Sequence, residues 1–200
     1  MGRTFRISDP RILKAVAHPL RVRMLGLLRA DGPATATELA RKVGESSGLT
    51  SYHLRALAKY GFIEEDPEQR DARERRWRAV HRYTSWNDTE MAATPEGAEA
   101  AAFLRRRQLD SLVRRFSDFE AERSSWSPEW QDAAGMSDHV VRLTPRSLAE
   151  LRDRITALVE EYADRDAADP DAEQVFFYQA GYPRTSPAES PEEPGRESRP

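Results

Sequence analysis

Residues 35–65 read TATELARKVGESSGLTSYHLRALAKYGFIEE, and the punctuation of this stretch decides the fold. Thr35 followed by Glu38 is a capping box. The hydroxyl accepts a backbone N–H of the first helical turn, and the carboxylate reaches back to the cap's own amide. A short helix is therefore predicted over about 36–43, ended by Gly44, which tolerates the left-handed conformation of a helix stop. Ser46 or Ser47 caps a second helix that runs to about Tyr60 and stops at Gly61. Leu39 and Val43 face inward on the first helix; Thr50, Leu54 and Leu57, at i, i+4 and i+7, do so on the second. Two short helices joined by a tight glycine turn have the spacing of a helix-turn-helix, whose second helix can lie in a DNA major groove.

What the inward pattern leaves outside is Ser46, Ser47, Ser51, Tyr52 and Arg55. Hydroxyls and a guanidinium donate to phosphate oxygens or to base edges. Arg55 has the geometry to bond guanine with two parallel hydrogen bonds or to hold a phosphate. From Ser46 to Tyr60 there is no carboxylate, as expected of a face that must not repel phosphate.

Beyond Gly61, Phe62–Glu64 and Arg76–Val80 read as strands of a hairpin with a long polar loop between them. Arg70, Arg73, Arg75 and Arg76 lie at or near its tip and return strand, where arginines can grip phosphates or enter a narrow minor groove. Glu68, Asp71 and Glu74 are interleaved, so internal ion pairs are the competing reading. Trp77, alternating with Arg76 and Arg78, is expected in the core. On the other side, Asp9-Pro10 and His18-Pro19 open two helices, the second presenting Leu20, Met24, Leu27 and Leu28 on one face. Asp31-Gly32-Pro33 is a turn.

The runs AVAHPLRVRMLGLL (15–28), TELARKVG (37–44) and LTSYHLRALAKYGFIEE (49–65) resemble the winged helix-turn-helix regulators of the arsenic-repressor (ArsR-like) family. The resemblance covers roughly residues 9–83, and its most specific part is Ser51, His53, Leu54 and Leu57 with Gly61 and the Ile-Glu-Glu entry to the wing. It implies a dimeric transcription factor, usually a repressor, on palindromic operators. It places Ser47, Ser51, Tyr52, His53 and Arg55 against DNA and Arg73 and Arg75 on the wing. For His53 a role in helix packing within the fold is the alternative. Metal-sensing members carry cysteines in the first helix of the motif, or His and Asp on the helix after the wing. Here Thr37–Arg41 has no thiolate and residues 95–123 have no histidine, so no metal site and no cofactor are expected.

The net charge of −3 hides an asymmetry. Up to Trp86 there are 17 Lys and Arg against 10 Asp and Glu; the remainder carries 14 against 24. A basic half attracts phosphate and an acidic half does not. The chain has no cysteine, which excludes disulfides and thiolate chemistry and suits a reducing cytoplasm. No apolar run reaches the roughly 18 residues of a membrane span, and residues 1–7 lack the apolar core of a signal peptide.

After Trp86, Thr94-Pro95 opens a long helix with Leu109, Leu112, Val113, Phe116 and Phe119 in one stripe, expected to pair with a second copy or to pack on its own domain. Thr144-Pro145 opens another, with Leu148, Leu151, Ile155, Leu158, Val159 and Tyr162 aligned. Strands are expected at 139–143 and 174–179. Trp126, Trp130, Phe176, Phe177 and Tyr178 are either core or the lining of an apolar pocket for a small-molecule effector. No phosphate-binding glycine loop, zinc-protease pattern or nucleophile elbow occurs, so no enzyme is expected.

These readings predict a mainly α (α+β) chain in three parts. Residues 1–86 form a winged helix-turn-helix domain. Residues 87–180 form a long dimerisation helix with a small strand-helix-strand domain and a candidate effector site. Residues 181–200 form a disordered tail. The expected partners are double-stranded DNA, a second copy of the chain and a small-molecule effector, with no membrane; a protein-binding winged helix is the alternative.

Overall fold

A computed structural model of the chain describes residues 2–68 and 75–184. Arg70 and Arg73 of the expected wing, and residues 185–200 of the expected tail, lie outside these. The chain forms two compact units that divide between Met136 and Ser137. The first contains β1 (Gly2–Ile7), α1 (Pro10–Val16), α2 (Pro19–Ala30), β2 (Ala34–Thr35), α3 (Ala36–Val43), α4 (Ser47–Lys59), β3 (Ile63–Glu65), β4 (Arg76–Ala79), β5 (His81–Trp86), α5 (Asp88–Met91), α6 (Pro95–Glu122) and α7 (Pro128–Ala133). The second contains α8 (Pro145–Arg165).

Helix starts follow local chemistry. Asp9, Thr35, Ser46 and Thr94 each accept a backbone N–H of the following helix through a side-chain oxygen, and His18 does so through Nδ1. Each oxygen cap is worth about 1 kcal/mol. Both halves of the expected capping box are present: Glu38 N–H donates to Thr35 Oγ1 at 3.2 Å and Thr35 N–H to Glu38 Oε2 at 2.7 Å. Gly44 and Gly61 both have φ of 75°, the left-handed region where a side chain is strained.

The core of the first unit is one cluster. Met24 and Leu28 from α2, Leu39 and Val43 from α3, and Leu54 and Leu57 from α4 meet in it. Trp77 is buried there from β4, as its alternation with two arginines predicts. Thr50, the polar member of the inward row on α4, is fully buried too. The first turns of α6 enter the same cluster through Ala100, Ala101 and Leu104.

Three strands form the wing sheet in the order β2-β4-β3, with β4 antiparallel to both neighbours. The register pairs Ile63 with Ala79 and Glu65 with Trp77. The hairpin matches expectation; β2 does not appear in the sequence reading because two residues carry no period. A second sheet was also not foreseen. β1 runs parallel to β5, pairing Phe5 with Thr84 and Ile7 with Trp86. Its alternation is short: Phe5 and Ile7 turn inward while Thr4 and Arg6 are exposed. Arg29 of α2 secures β5 by donating to the His81 carbonyl at 3.0 Å and to Thr84 Oγ1 at 2.8 Å. Burial pushes its guanidinium down to about 10, still charged at neutral pH.

In the second unit the expected helix forms, with Thr144 capping it through Ser147 N–H. The strands expected at 139–143 and 174–179 do not: both segments are irregular. β-formers need a partner edge to satisfy their backbone groups, and none is supplied among the described residues. Val140 is 98 % exposed, and Leu158, Tyr162, Phe177 and Tyr182 are also exposed. Gln179 Nε2 donates to Thr156 Oγ1 at 3.2 Å, linking the later segment to the helix.

Candidate nucleic-acid interface

The inward row of α4 fixes the outward one. With Thr50, Leu54 and Leu57 buried, Ser46, Ser47 and Arg55 are exposed, Ser51 is half-buried and Tyr52 is 56 % exposed. Arg55 makes no hydrogen bond or ion pair with the described residues, so its guanidinium is available. Ser46 is committed in part, since its Oγ accepts the Leu49 N–H at 3.3 Å. Hydroxyls retain further hydrogen-bonding capacity when they cap.

A cleft joins the helix to the wing. It is lined by Thr35, Ala36 and Thr37 at the start of α3, Ser51 and Arg55 of α4, and Arg75 and Trp77 of the hairpin. The walls offer three hydroxyls, two guanidinium groups and the positive end of a helix. Thr37 was not foreseen as a site residue; its signal was its place on the first turn of α3, next to a cap.

The wing arginines divide. Arg75 stacks over the Trp77 ring, 5.6 Å from its centroid, and its Nε lies 3.1 Å from Glu65 Oε1. Both partners are exposed, and such pairs contribute at most about 1 kcal/mol, so a phosphate can take Arg75 over at little cost. Arg76 is held differently. It bonds Glu38 Oε1 at 3.3 Å and the Pro33 carbonyl, fastening β4 to the start of α3. These contacts give Arg76 a positioning role between β4 and α3. The Arg76 guanidinium, after the backbone N–H of Thr35, also helps hold the Glu38 carboxyl below the usual range. Arg78 crosses to Glu64 at 2.7 Å.

His53 lies on the inner side of α4. It is only 5 % exposed; its Nδ1 accepts Arg21 Nε at 3.2 Å. Its ring lies 4.4 Å from that of His18. Of the two readings open from the sequence, these contacts fit helix packing. His53 sits one position past Tyr52, about 100° round the helix, and that rotation turns it inward.

Among the described residues, no group of three or more His, Asp or Glu is placed to hold a metal. The aromatic residues weighed as a pocket lining are accounted for separately in each unit. Trp126 and Trp130 meet edge to face at 6.1 Å in the first, while Phe176 and Phe177 are exposed in the second.

Short capped helix, glycine turn, α4 and an arginine-bearing hairpin together define a winged helix-turn-helix. Residues 16–66 match the family model for a helix-turn-helix domain. Over 61 residues the chain is 39 % identical to the HTH-type transcriptional regulator YgaV of Escherichia coli (strain K12), a distant homologue. That match covers 30 % of this chain and 59 % of the relative, so the chain spans under two thirds of the curated protein it resembles. Among solved structures it is similar to the homodimeric winged helix-turn-helix DNA-binding domain of Mb0332 from Mycobacterium bovis, described as a possible ArsR-family transcriptional regulator. The identity is 22 %, over 56 % of this chain and 81 % of that one, with a TM-score of 0.31. ZitR of Lactococcus lactis is 15 % identical over 72 % and 83 % of the two chains, with a TM-score of 0.30. No described helix is long and apolar enough to cross a membrane.

Proposed function

We propose that this protein is a DNA-binding transcription regulator that grips a palindromic operator as a homodimer and acts as a repressor rather than as an enzyme. The observation that carries the reading is the outer face of α4. It has available hydroxyls and Arg55, no carboxylate between Ser46 and Tyr60, and a cleft joining it to Arg75. In this reading Ser47, Ser51, Tyr52 and Arg55 enter the major groove and Arg75 holds the backbone. Arg55→Ala weakens specific binding by about 1–3 kcal/mol if Arg55 reads a base. An equal loss on all sequences reassigns it to phosphate. Tyr52→Ala lowers affinity and leaves the melting temperature unchanged. Binding measured by fluorescence anisotropy should fall steeply between about 50 and 200 mM salt; a flat response, or no preference for any duplex at low salt, would instead favour a protein-binding winged helix.

Dimerisation is assigned to α6. Leu109, Val113 and Phe116 are exposed, and Leu112 and Phe119 half-buried, along one stripe of a 28-residue helix. A seam of that length sets the half-site spacing that a palindrome requires. Phe116→Glu, placing a carboxylate in the seam, is expected to reduce the mass seen by light scattering from twice 22.8 kDa to 22.8 kDa. Retention of the dimer would remove α6 from the interface. The second unit, acidic and with apolar residues exposed on α8, is the proposed location of effector sensing.

A further inference from the structure

The DNA-facing helix is tied to the rest of the domain by two histidines that the proposed function leaves unused. His18 precedes α2, and its Nδ1 accepts the Leu20 N–H at 3.2 Å, which makes it the cap of that helix. His53, on the inner side of α4, accepts Arg21 Nε at 3.2 Å. Arg21 in turn donates from Nη1 to the Ala15 carbonyl of α1 at 2.5 Å. A ring nitrogen that accepts an N–H carries no proton, so both rings are neutral with the proton on Nε2. The rings lie against each other, centroids 4.4 Å apart and planes at 37°.

We propose that the His18–His53 pair is a proton-operated latch. It holds α4 in its DNA-competent position while both rings are neutral and releases it when either is protonated. The DNA consequence rests on the function proposed above; the latch itself does not.

Adding a proton to either Nδ1 turns an acceptor into a donor that faces another donor. At His18 the cap of α2 is lost; at His53 the link from α2 to α4 is lost. The new charge then sits beside Arg21 and, with the second proton, beside another imidazolium. The charged and titratable groups facing the pair come from each packed element. Arg21 projects from α2, Glu45 from the turn ahead of α4, and the Tyr52 ring from α4 at 5.2 Å, while α1 contributes a carbonyl. Glu45 favours the charged form of His53 but is outweighed by burial, His18 and Arg21. Burial, followed by Arg21, also holds His18 below the ordinary histidine value.

The sign follows from these directions. With folded-state values depressed below about 6.5, the latch contributes its full stability above that pH. The contribution is lost as pH falls from about 6.5 through the folded-state values, because the unfolded chain binds protons first. Each histidine changes the folding equilibrium by at most about tenfold per pH unit in that window. The expected DNA effect is opposite to the generic one. Protonating histidines on a phosphate-binding protein ordinarily adds attraction, whereas here acid lowers affinity.

The test uses the full chain, wild type against the double variant His18→Asn, His53→Gln. Asn keeps an N-cap acceptor and Gln keeps an acceptor for Arg21, and neither titrates. DNA affinity for a selected duplex is measured at fixed ionic strength between about pH 7.5 and 5.5, with melting temperature followed in parallel. Wild type should lose affinity as pH falls below about 6.5, by at most about tenfold per histidine per pH unit, and show a falling melting temperature. The double variant should show a flatter melting curve and equal or higher affinity in acid. His81, present in both proteins and also held low by burial and Arg29, supplies an equal background that the difference removes. If the double variant does not fold, His18→Asn alone should remove the part of the slope due to His18. Identical melting slopes for wild type and a folded variant, or wild-type affinity that rises in acid, would overturn the latch. Slopes that differ as stated, with no DNA binding at any pH, would overturn the DNA-binding reading and leave the latch standing.

Discussion

Phe62→Ala is expected to lower the stability of the domain by about 3–5 kcal/mol, as large aromatic deletions in a close-packed core do. Phe62 is 1 % exposed and directly follows Gly61, the residue that ends α4. Its N–H bonds the Leu57 carbonyl at 3.1 Å and its carbonyl accepts the Val80 N–H at 3.1 Å. The backbone at this point therefore joins α4 to the β4–β5 segment, and the ring fills the space between them. It also meets Phe5 edge to face, centroids 5.2 Å apart. Truncation would remove that contact and loosen β1 as well. A small domain has about 5–15 kcal/mol in total, so the variant is expected to be partly unfolded at 37 °C. Chemical denaturation followed by tryptophan fluorescence measures the loss. A change below about 1 kcal/mol would mean that the site collapses without leaving a cavity.

Two glycines of helices should respond to alanine with opposite signs. Gly26 lies inside α2, and an added Cβ there meets nothing within 4 Å. Gly26→Ala is expected to stabilise by about 0.5–1 kcal/mol, since the mutant chain loses less backbone entropy on folding. Gly97 lies in the first turn of α6. A Cβ there would stand 2.3 Å from the Met91 carbonyl oxygen and 3.0 Å from both Pro10 Cβ and Thr94 Oγ1. One of these is backbone and one is a rigid ring, so neither yields cheaply. The helix-propensity gain of about 1 kcal/mol is outweighed by overpacking of about 1–3 kcal/mol. Gly97→Val, which adds branched atoms at the same contact and has a smaller propensity gain, is expected to cost about 3 kcal/mol. Thermal unfolding of both variants measures the difference, and equal shifts at the two sites would remove the α1–α6 contact as the cause.

Most of the first unit was legible because its signals are local. A hydroxyl three residues before a glutamate, a glycine after a periodic run, or a proline after Asp or His acts within one turn of its own position. Hence α3 and α4 appear where the residues place them, with Ser46 as the cap and Thr50, Leu54 and Leu57 inside. The outer face follows from the same period. What was not legible involves partners far along the chain. β1 has two inward residues and takes its identity from β5. Arg76 looks like a wing cation until Glu38 and Pro33 arrive beside it. His53 was ambiguous because it lies at the margin of the inner face, where Arg21 decides which way it is used. At 139–143 and 174–179 the residue types favour strands, but no neighbouring edge is present among the described residues to receive their backbone groups.

The residues alone determined the helix-turn-helix, its caps and stops, and which side of α4 is polar and free of carboxylate. These depend on backbone dihedrals and on spacing along a single helix. Only the tertiary structure decided that His53 is enclosed against His18 with Nδ1 toward Arg21, that Arg76 bonds Glu38 and Pro33, and that β1 pairs with β5. Those outcomes are contests between solvent and a distant protein group for the same hydrogen bond, and the winner is set by what folding brings within about 3 Å.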